Sequence, residues 1–193
     1  MKNDIEKVKK NLRRELREKR KALALTYKAE ASRAITDRVI SSPAYKKAET
    51  VFVYSSIEDE VDTRALIDQA FKDGKRVCLP LCLGDHTMAA VEVGSLSDLV
   101  PGYLGILEPK AELAVDHTVA EPDLTVIPCL SASPTGARIG YGGGFYDEFL
   151  NSRSTIKMCL CFGEQVMTGL PREDHDVLMD LVVTENEVFR KEK

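Results

Sequence analysis

The sequence predicts a three-layer α/β sandwich built on a mostly parallel sheet. Three observations lead there. Short apolar runs suited to buried strands are separated by helical stretches, the pattern of a parallel sheet covered on both faces. The 193 residues suffice for one well-buried core and are few for two. The balance of 44% apolar and 30% charged residues is that of an ordinary globular chain, which excludes collagen-like, mucin-like and wholly disordered classes.

A first helix is expected over residues 3–25. Ile5, Val8, Leu12, Leu16 and Leu23 recur at three- and four-residue steps along one apolar stripe, with Lys9, Arg13, Arg17 and Arg20 edging it. A second helix over 27–41 ends before Pro43. Residues 50–54 (TVFVY) read as a buried strand, and Asp62 caps a helix through Phe71 that Gly74 closes. Further strands are expected at 76–79, stopped by Pro80, and at 88–93, 124–128, 156–162 and 181–184. With no repeat, low-complexity segment or linker, residues 1–193 read as a single domain.

Net charge is −4 and unevenly spread. Residues 1–21 hold ten basic and four acidic residues, +6, leaving 17 basic and 27 acidic residues, −10, to the rest. An acidic body with one basic helix is unlike the domain-wide basicity of nucleic-acid binders; it fits a helix that meets an anionic group locally. The longest apolar run, residues 77–83, falls far short of the roughly 20 residues that span a bilayer. With no export or transit signal, a cytoplasmic protein is expected. The five cysteines, Cys78, Cys82, Cys129, Cys159 and Cys161, lie in or beside apolar strand-like runs and read as reduced, mostly buried thiols. No CxxC occurs and His86, His117 and His175 are scattered, which argues against structural zinc.

Three segments carry candidate chemistry. Residues 134–147 (PTGARIGYGGGFYD) place Gly136, Gly140, Gly142, Gly143 and Gly144 before a helix starting at Phe145, the outline of a phosphate cradle, with the Arg138 guanidinium nearby. The loop is neither a Walker A nor a GxGxxG motif. Residues 55–63 (SSIEDEVDT) follow the first strand, where α/β proteins place ligands; Glu58, Asp59, Glu60 and Asp62 are either a solvated acidic loop or include one carboxylate aimed at a ligand. Residues 171–176 (PREDHD) precede the last strand. Asp147 and Asp176 converging on Mg²⁺ beside a phosphate loop would make a nucleotide site, whereas His175 reads as structural rather than as a general base.

Residues 138–147 (RIGYGGGFYD) closely resemble the signature of 5-formyltetrahydrofolate cyclo-ligases, also called methenyltetrahydrofolate synthetases. Residues 9–16 (KKNLRREL), 54–63 (YSSIEDEVDT), Glu108-Pro109 and 165–185 resemble further family segments in the right order. The resemblance implies a phosphosugar-isomerase/CoA-transferase-like fold. It also implies ATP- and Mg²⁺-dependent closure of 5-formyltetrahydrofolate to 5,10-methenyltetrahydrofolate, with release of ADP and phosphate, through phosphorylation of the formyl oxygen. Carried over position by position, Lys9 and Arg13 contact ATP, and Arg138, Ile139, Gly140, Tyr141, Gly142, Gly143, Gly144, Phe145 and Tyr146 wrap its triphosphate. Ser55, Glu60, Tyr141, Gly142, Gly143, Gly144 and Phe145 face the folate, Arg138 and Tyr146 are the catalytic pair, and Asp147 and Asp176 hold Mg²⁺. The implied partners are ATP and 5-formyltetrahydrofolate, with or without a polyglutamate tail, for a monomer that meets neither nucleic acid nor membrane. Against the family pattern, Ala132-Ser133 replace a common Phe-Asp pair, Phe145 a frequent tyrosine, and no tryptophan is available to flank a pterin. Two rival readings are a nucleotide-binding or RNA-associated relative without the activity, and a phosphosugar isomerase or CoA transferase. The second needs a general base or Glu nucleophile that no segment clearly supplies.

Overall fold

The computed structural model describes residues 2–57, 59–151 and 153–191, so Glu58 lies outside the described residues. Helices α1 (Lys2–Lys21), α2 (Leu25–Ser41) and α3 (Pro43–Lys47) precede strand β1 (Thr50–Val53). Helix α4 (Arg64–Lys72) leads to β2 (Arg76–Gly84) and β3 (Thr87–Val93), a small hairpin of β4 (Leu99–Pro101) and β5 (Leu107–Pro109), then α5 (Ala114–His117) and β6 (Thr118–Val119). Strand β7 (Leu124–Ile127) is followed by a ribbon of β8 (Ser131–Ala132) and β9 (Arg138–Ile139) and by α6 (Phe145–Leu150). The chain ends in β10 (Ile156–Leu160), β11 (Leu181–Val183) and β12 (Val188–Arg190).

The eight-stranded sheet has the order β12-β11-β10-β7-β1-β2-β3-β6. Its five central strands, β11 to β2, are parallel, and β12, β3 and β6 are antiparallel at the flanks. Alternate side chains divide the core. Val51, Val53, Val126 and Leu160 face Ile35 and Val39 of α2 and Leu66 and Ile67 of α4. Phe52, Ile127, Cys159 and Val182 face Phe149 and Leu150 of α6 on the other side. Each large side chain so buried contributes about 1.5–3 kcal/mol. The fold is therefore the mixed α/β class that the alternation of runs predicts.

Topology decides where a site can form. From β1 the chain crosses to β2 on one side, and β7 later pairs with the opposite edge of β1. The segments leaving the carboxyl ends of β1 and β7 thus diverge from a switch in strand order, where the sheet leaves an open crevice.

Several local expectations are corrected. Strand β2 is not stopped by Pro80 but continues to Gly84. Its pairing with β1 ends at Cys78, so past that point one edge is free and a missing N–H costs no ladder bond. Thr63 rather than Asp62 is the residue before α4, although Asp62 Oδ1 still accepts the Arg64 N–H at 2.9 Å. On α1, Leu16 is buried against Leu130, Ile139 and Leu170, but Val8 is 52% exposed, whereas Lys9 and Arg20 are each only 4% exposed. Of the line read as edging the apolar stripe, Lys9 and Arg20 turn inward beside Leu16, Arg13 is half-buried and Arg17 stays exposed, because the surface beneath α1 offers carboxylates and carbonyls to the two buried cations. Cys78, Cys129, Cys159 and Cys161 are buried, Cys82 is half-buried, and all are free thiols; burial pushes Cys78 up to about 12.

The ribbon is closed at Gly136, which has φ +88° and donates its N–H to Ser133 O, while its own carbonyl accepts the Met179 N–H at 2.9 Å. A Cβ there would overlap the Met179 carbonyl oxygen. Gly136→Ala is expected to lower stability by about 1–3 kcal/mol in urea denaturation with an unchanged m value.

Candidate functional site

The glycine segment after β9 forms an arch in which Gly142 (φ +98°) and Gly144 (φ +73°) adopt left-handed conformations open chiefly to glycine. Helix α6 starts at its end but has only six residues, so its dipole is short and most positive potential at the arch comes from α1. Arginines on one face of α1 meet the arch in succession. Arg13 Nε donates to Gly140 O (3.1 Å) and Arg17 to Tyr141 O (3.3 Å). A Cβ on Gly142 would sit 3.2 Å from the Arg13 guanidinium carbon, so this glycine admits the close approach. Lys10, Asn11, Arg13, Arg14, Arg17, Tyr141 and Gly142 line a groove of about 410 Å³. It is an open cationic cleft along the arch.

Arg20, one turn further, is buried. It donates to Cys129 O (3.1 Å) and to the Tyr141 hydroxyl (2.5 Å), and its Nε has no partner. Tyr141 in turn donates its hydroxyl to Glu60 Oε1 at 2.5 Å. Burial pushes the Tyr141 phenol well above its ordinary range and the Glu60 charge adds to this, against Arg20, so it stays neutral. Burial raises the Glu60 pKa too, opposed by the hydrogen bonds from Tyr141 and the Ile57 N–H and by the Arg20 charge. Among the described acids of its loop, Glu60 is the one that turns into the site. Asp59 is held by Lys28 of α2 (2.7 Å) and Asp62 by Arg64 (2.5 Å). Ser55, half-buried, stands two residues past β1.

At the far end of the arch, Arg138 is turned inward with its side chain only 5% exposed. It donates to Asp147 Oδ1 (2.9 Å), which also accepts the Val177 N–H (3.2 Å), and its Nε lacks a partner. Ile139 is buried in the cluster under α1. Tyr146 stacks on Phe52 (centroids 6.3 Å apart), and burial holds its phenol well above the ordinary range. Asp176 Oδ2 accepts from Lys9 Nζ (2.5 Å) and the Glu173 N–H (2.7 Å), and Lys9 also reaches Glu173 (2.9 Å). Burial works against the Asp176 carboxylate, but these two donors prevail and hold its pKa below the ordinary value. Glu173, His175 and Asp176 bring one ligand atom each within 4.8 Å of one another. Lys9, read as an anion contact, is thus paired with acids here. Asp147 accepts the amide of Val177, the residue next to Asp176, and each of the two carboxylates sits on a cation, Asp147 on Arg138 and Asp176 on Lys9.

An apolar wall rises opposite α1. The β2–β3 turn, Asp85 and His86, has φ +46° and +63°, the two-residue geometry that matches strand twist. It delivers His86 Nδ1 to Gly143 O (2.7 Å), so Nδ1 carries the proton, and the His86 ring lies 5.9 Å from that of Phe145. Tyr103 approaches the same Phe145 at 5.9 Å. Its turn is fixed by buried Glu108, which accepts the N–H groups of Tyr103 (3.1 Å) and Cys82 (3.3 Å). The sequence reading missed Arg20 and His86 as site residues. Arg20 was detectable as the third arginine on the face carrying Arg13 and Arg17, whereas nothing local marks His86.

A cationic helix against a glycine arch, with a buried carboxylate at a sheet switch point, defines an α/β protein with a positively charged cleft at the carboxyl edge of its sheet. Comparison with known proteins narrows this. The profile of the 5-formyltetrahydrofolate cyclo-ligase family matches residues 5–185. The chain is 32% identical over 175 residues to the probable 5-formyltetrahydrofolate cyclo-ligase of Schizosaccharomyces pombe, covering 81% of this chain and 85% of that one. It is 31% identical over 182 residues to the 5-formyltetrahydrofolate cyclo-ligase of Escherichia coli K12, covering 90% and 98%. The structure of 5,10-methenyltetrahydrofolate synthetase from Aquifex aeolicus superposes with a TM-score of 0.84 at 29% identity, over 96% of this chain and 94% of that one. The chain belongs to the 5-formyltetrahydrofolate cyclo-ligase family and is an enzyme.

The Arg138–Asp147 pair makes a specific demand on mutants. Asp147→Ala strands a buried guanidinium and is expected to cost about 1–3 kcal/mol, a buried-pair penalty reduced for the partial exposure of Asp147. Asp147→Asn keeps an acceptor for Arg138 and Val177 and is expected to cost less; chemical denaturation of both variants measures the difference.

Proposed function

We propose that this enzyme closes the ring of 5-formyltetrahydrofolate, using ATP and Mg²⁺, to give 5,10-methenyltetrahydrofolate, ADP and phosphate. The supporting observation is that one residue, Tyr141, lends its backbone to the arch under α1 and its hydroxyl to Glu60 of the neighbouring loop. A single strip of chain therefore borders both a cationic cleft suited to a triphosphate and the crevice holding a buried carboxylate. In this reading Lys9, Arg13 and residues 138–146 hold ATP. Glu60, Ser55 and residues 141–145 face the folate, with Tyr103, His86 and Phe145 supplying the flat apolar surface that tryptophan does not.

The formyl carbon is a poor electrophile, and its oxygen leaves badly. Transfer of the γ-phosphoryl to that oxygen makes a phosphate ester. Attack by the neighbouring amine of the folate then forms the C–N bond, and the C–O bond breaks with release of phosphate. Both nucleophiles belong to the substrate, so the protein's work is to align them and to neutralise charge. In this reading the guanidiniums of α1 and Arg138 supply the neutralising charge, and the His86 proton is held on a carbonyl rather than poised as a base. Arg138 and Tyr146, at the foot of the arch, are the groups that face the transferring phosphoryl.

Asp147 and Asp176 fit Mg²⁺ by their chemistry: hard oxygen donors, each with a second carboxylate oxygen beyond the one held by its cation. Mg²⁺ bound there would neutralise phosphate charge. Lys9 reaches ATP in this reading by leaving Glu173 and Asp176.

With Mg·ATP and 5-formyltetrahydrofolate, the purified protein is expected to develop the near-ultraviolet absorbance of the methenyl product; folded protein that gives no change overturns the reading. Asp147→Asn is expected to lower turnover at least a hundredfold while its circular dichroism stays that of wild type. Arg13→Ala is expected to raise the KM for ATP about tenfold, the loss of one charge-assisted hydrogen bond.

A further inference from the structure

Arg20 has no part in the roles assigned so far, yet it is among the most deeply buried cations of the protein, 4% exposed. A guanidinium in such a place is costly unless paired and hydrogen-bonded. Its donors go to two places only: Cys129 O, just beyond β7, and the Tyr141 hydroxyl. Its ring-facing side lies 5.4 Å from the centre of the Tyr141 ring, so cation, phenol and Glu60 carboxylate form one line from α1 to the loop after β1. The counter-charge of Arg20 is therefore Glu60, reached through a neutral phenol. The carboxylate is pinned at both oxygens, Oε1 by Tyr141 and Oε2 by the Ile57 N–H at 3.0 Å.

We propose that Arg20 is a positioning residue for the folate side of the reaction, holding Tyr141 so that its hydroxyl keeps the Glu60 carboxyl group aimed into the crevice. Arg20 touches neither ligand in this scheme and acts through Tyr141. The other groups that bear on Glu60 cannot replace it. Tyr54 just past β1 and Tyr146 from α6 are neutral phenols, and Cys129 beyond β7 offers no positive charge. Removing Arg20 takes away the cation hydrogen-bonded to the Tyr141 hydroxyl; Arg17, 5.6 Å from the Tyr141 ring, holds the Tyr141 carbonyl instead, so burial acts on Glu60 against less opposition and the carboxyl holds its proton to higher pH. Arg13 and Arg17 stay on the arch carbonyls, so the ATP side is spared.

This inference rests on the folate reading of Glu60, and its test separates the two. Arg20→Met and Tyr141→Phe are each expected to raise the KM for 5-formyltetrahydrofolate about tenfold while the KM for ATP stays within about twofold. Because Arg20 acts through Tyr141, the double variant is expected to be no worse than the poorer single variant. Independently of activity, a ¹³C NMR titration of glutamate carboxyls is expected to show Glu60 titrating at higher pH in Arg20→Met than in wild type, with Arg20→Lys between them. Additive losses in the double variant, parallel rises in both KM values, or an unmoved Glu60 titration would overturn the proposal. If wild type fails to turn over folate, the function reading falls and the titration still decides the Arg20–Glu60 link. If Arg20→Met does not fold, Arg20→Lys and Tyr141→Phe carry the same readouts, and an unchanged folate KM with an unmoved titration overturns it.

Discussion

Arginine side chains on carbonyl oxygens of the glycine segment hold this site in shape. The glycines allow the backbone to curve and to be approached closely, but they supply no rigidity, since residues free to adopt left-handed conformations lose the most entropy when fixed. Rigidity comes from α1. Arg13 on Gly140 and Arg17 on Tyr141 fasten the arch from above, and Arg20 fastens Tyr141 from within. The same contacts explain why a helix with a poor apolar stripe stays docked. Its inward face carries donors, and the surface beneath carries acceptors. Leu16 against Leu130, Ile139 and Leu170 adds only a small apolar patch.

The position of the arch follows from the sheet. Strands β1 and β7 are neighbours whose following segments run apart, and the crevice between those segments receives Glu60 from one side and Tyr141 from the other. The antiparallel pair β2–β3 extends past the point where β1 ends, and this overhang carries His86 to the arch. The parallel core thus supplies the opening and the antiparallel flank supplies a wall. Neither alone would enclose a ligand.

Much of this was legible in the amino-acid order, and what was missed has physical causes. Strands β1, β7 and β11 and most of β10 show as short apolar runs because they are buried on both faces, and those runs located them. The small hairpin of β4 and β5 and edge strand β12 were invisible because exposed edges need no apolar signature. Pro80 misled because its effect depends on whether a neighbour needs its missing N–H, a fact of pairing rather than of composition. For the site, the glycines and Arg138, Asp147 and Asp176 stood out by residue type and place, whereas Glu60 was one of four acids in its loop and was singled out only by the resemblance. Their partnerships did not: Arg138 on Asp147 and Lys9 on Asp176 join residues that the resemblance assigns to separate ligands, and the link from Arg20 through Tyr141 to Glu60 brings in a residue assigned to none. Burial of Lys9 and Arg20 ran against the usual solvation of helical cations, and only the carbonyls and carboxylates beneath them account for it.

The ion pair between Lys9 and Asp176 spans 167 positions of the chain. Closing a loop of that length costs only modest entropy once the intervening sheet has formed, but it imposes an order in time. During synthesis on the ribosome α1 emerges before the rest of this fold, bearing a row of cations, and waits for a landing surface completed only when the chain beyond β10 has been made. A nascent chain truncated ahead of Asp176 therefore lacks the clasp that seats α1.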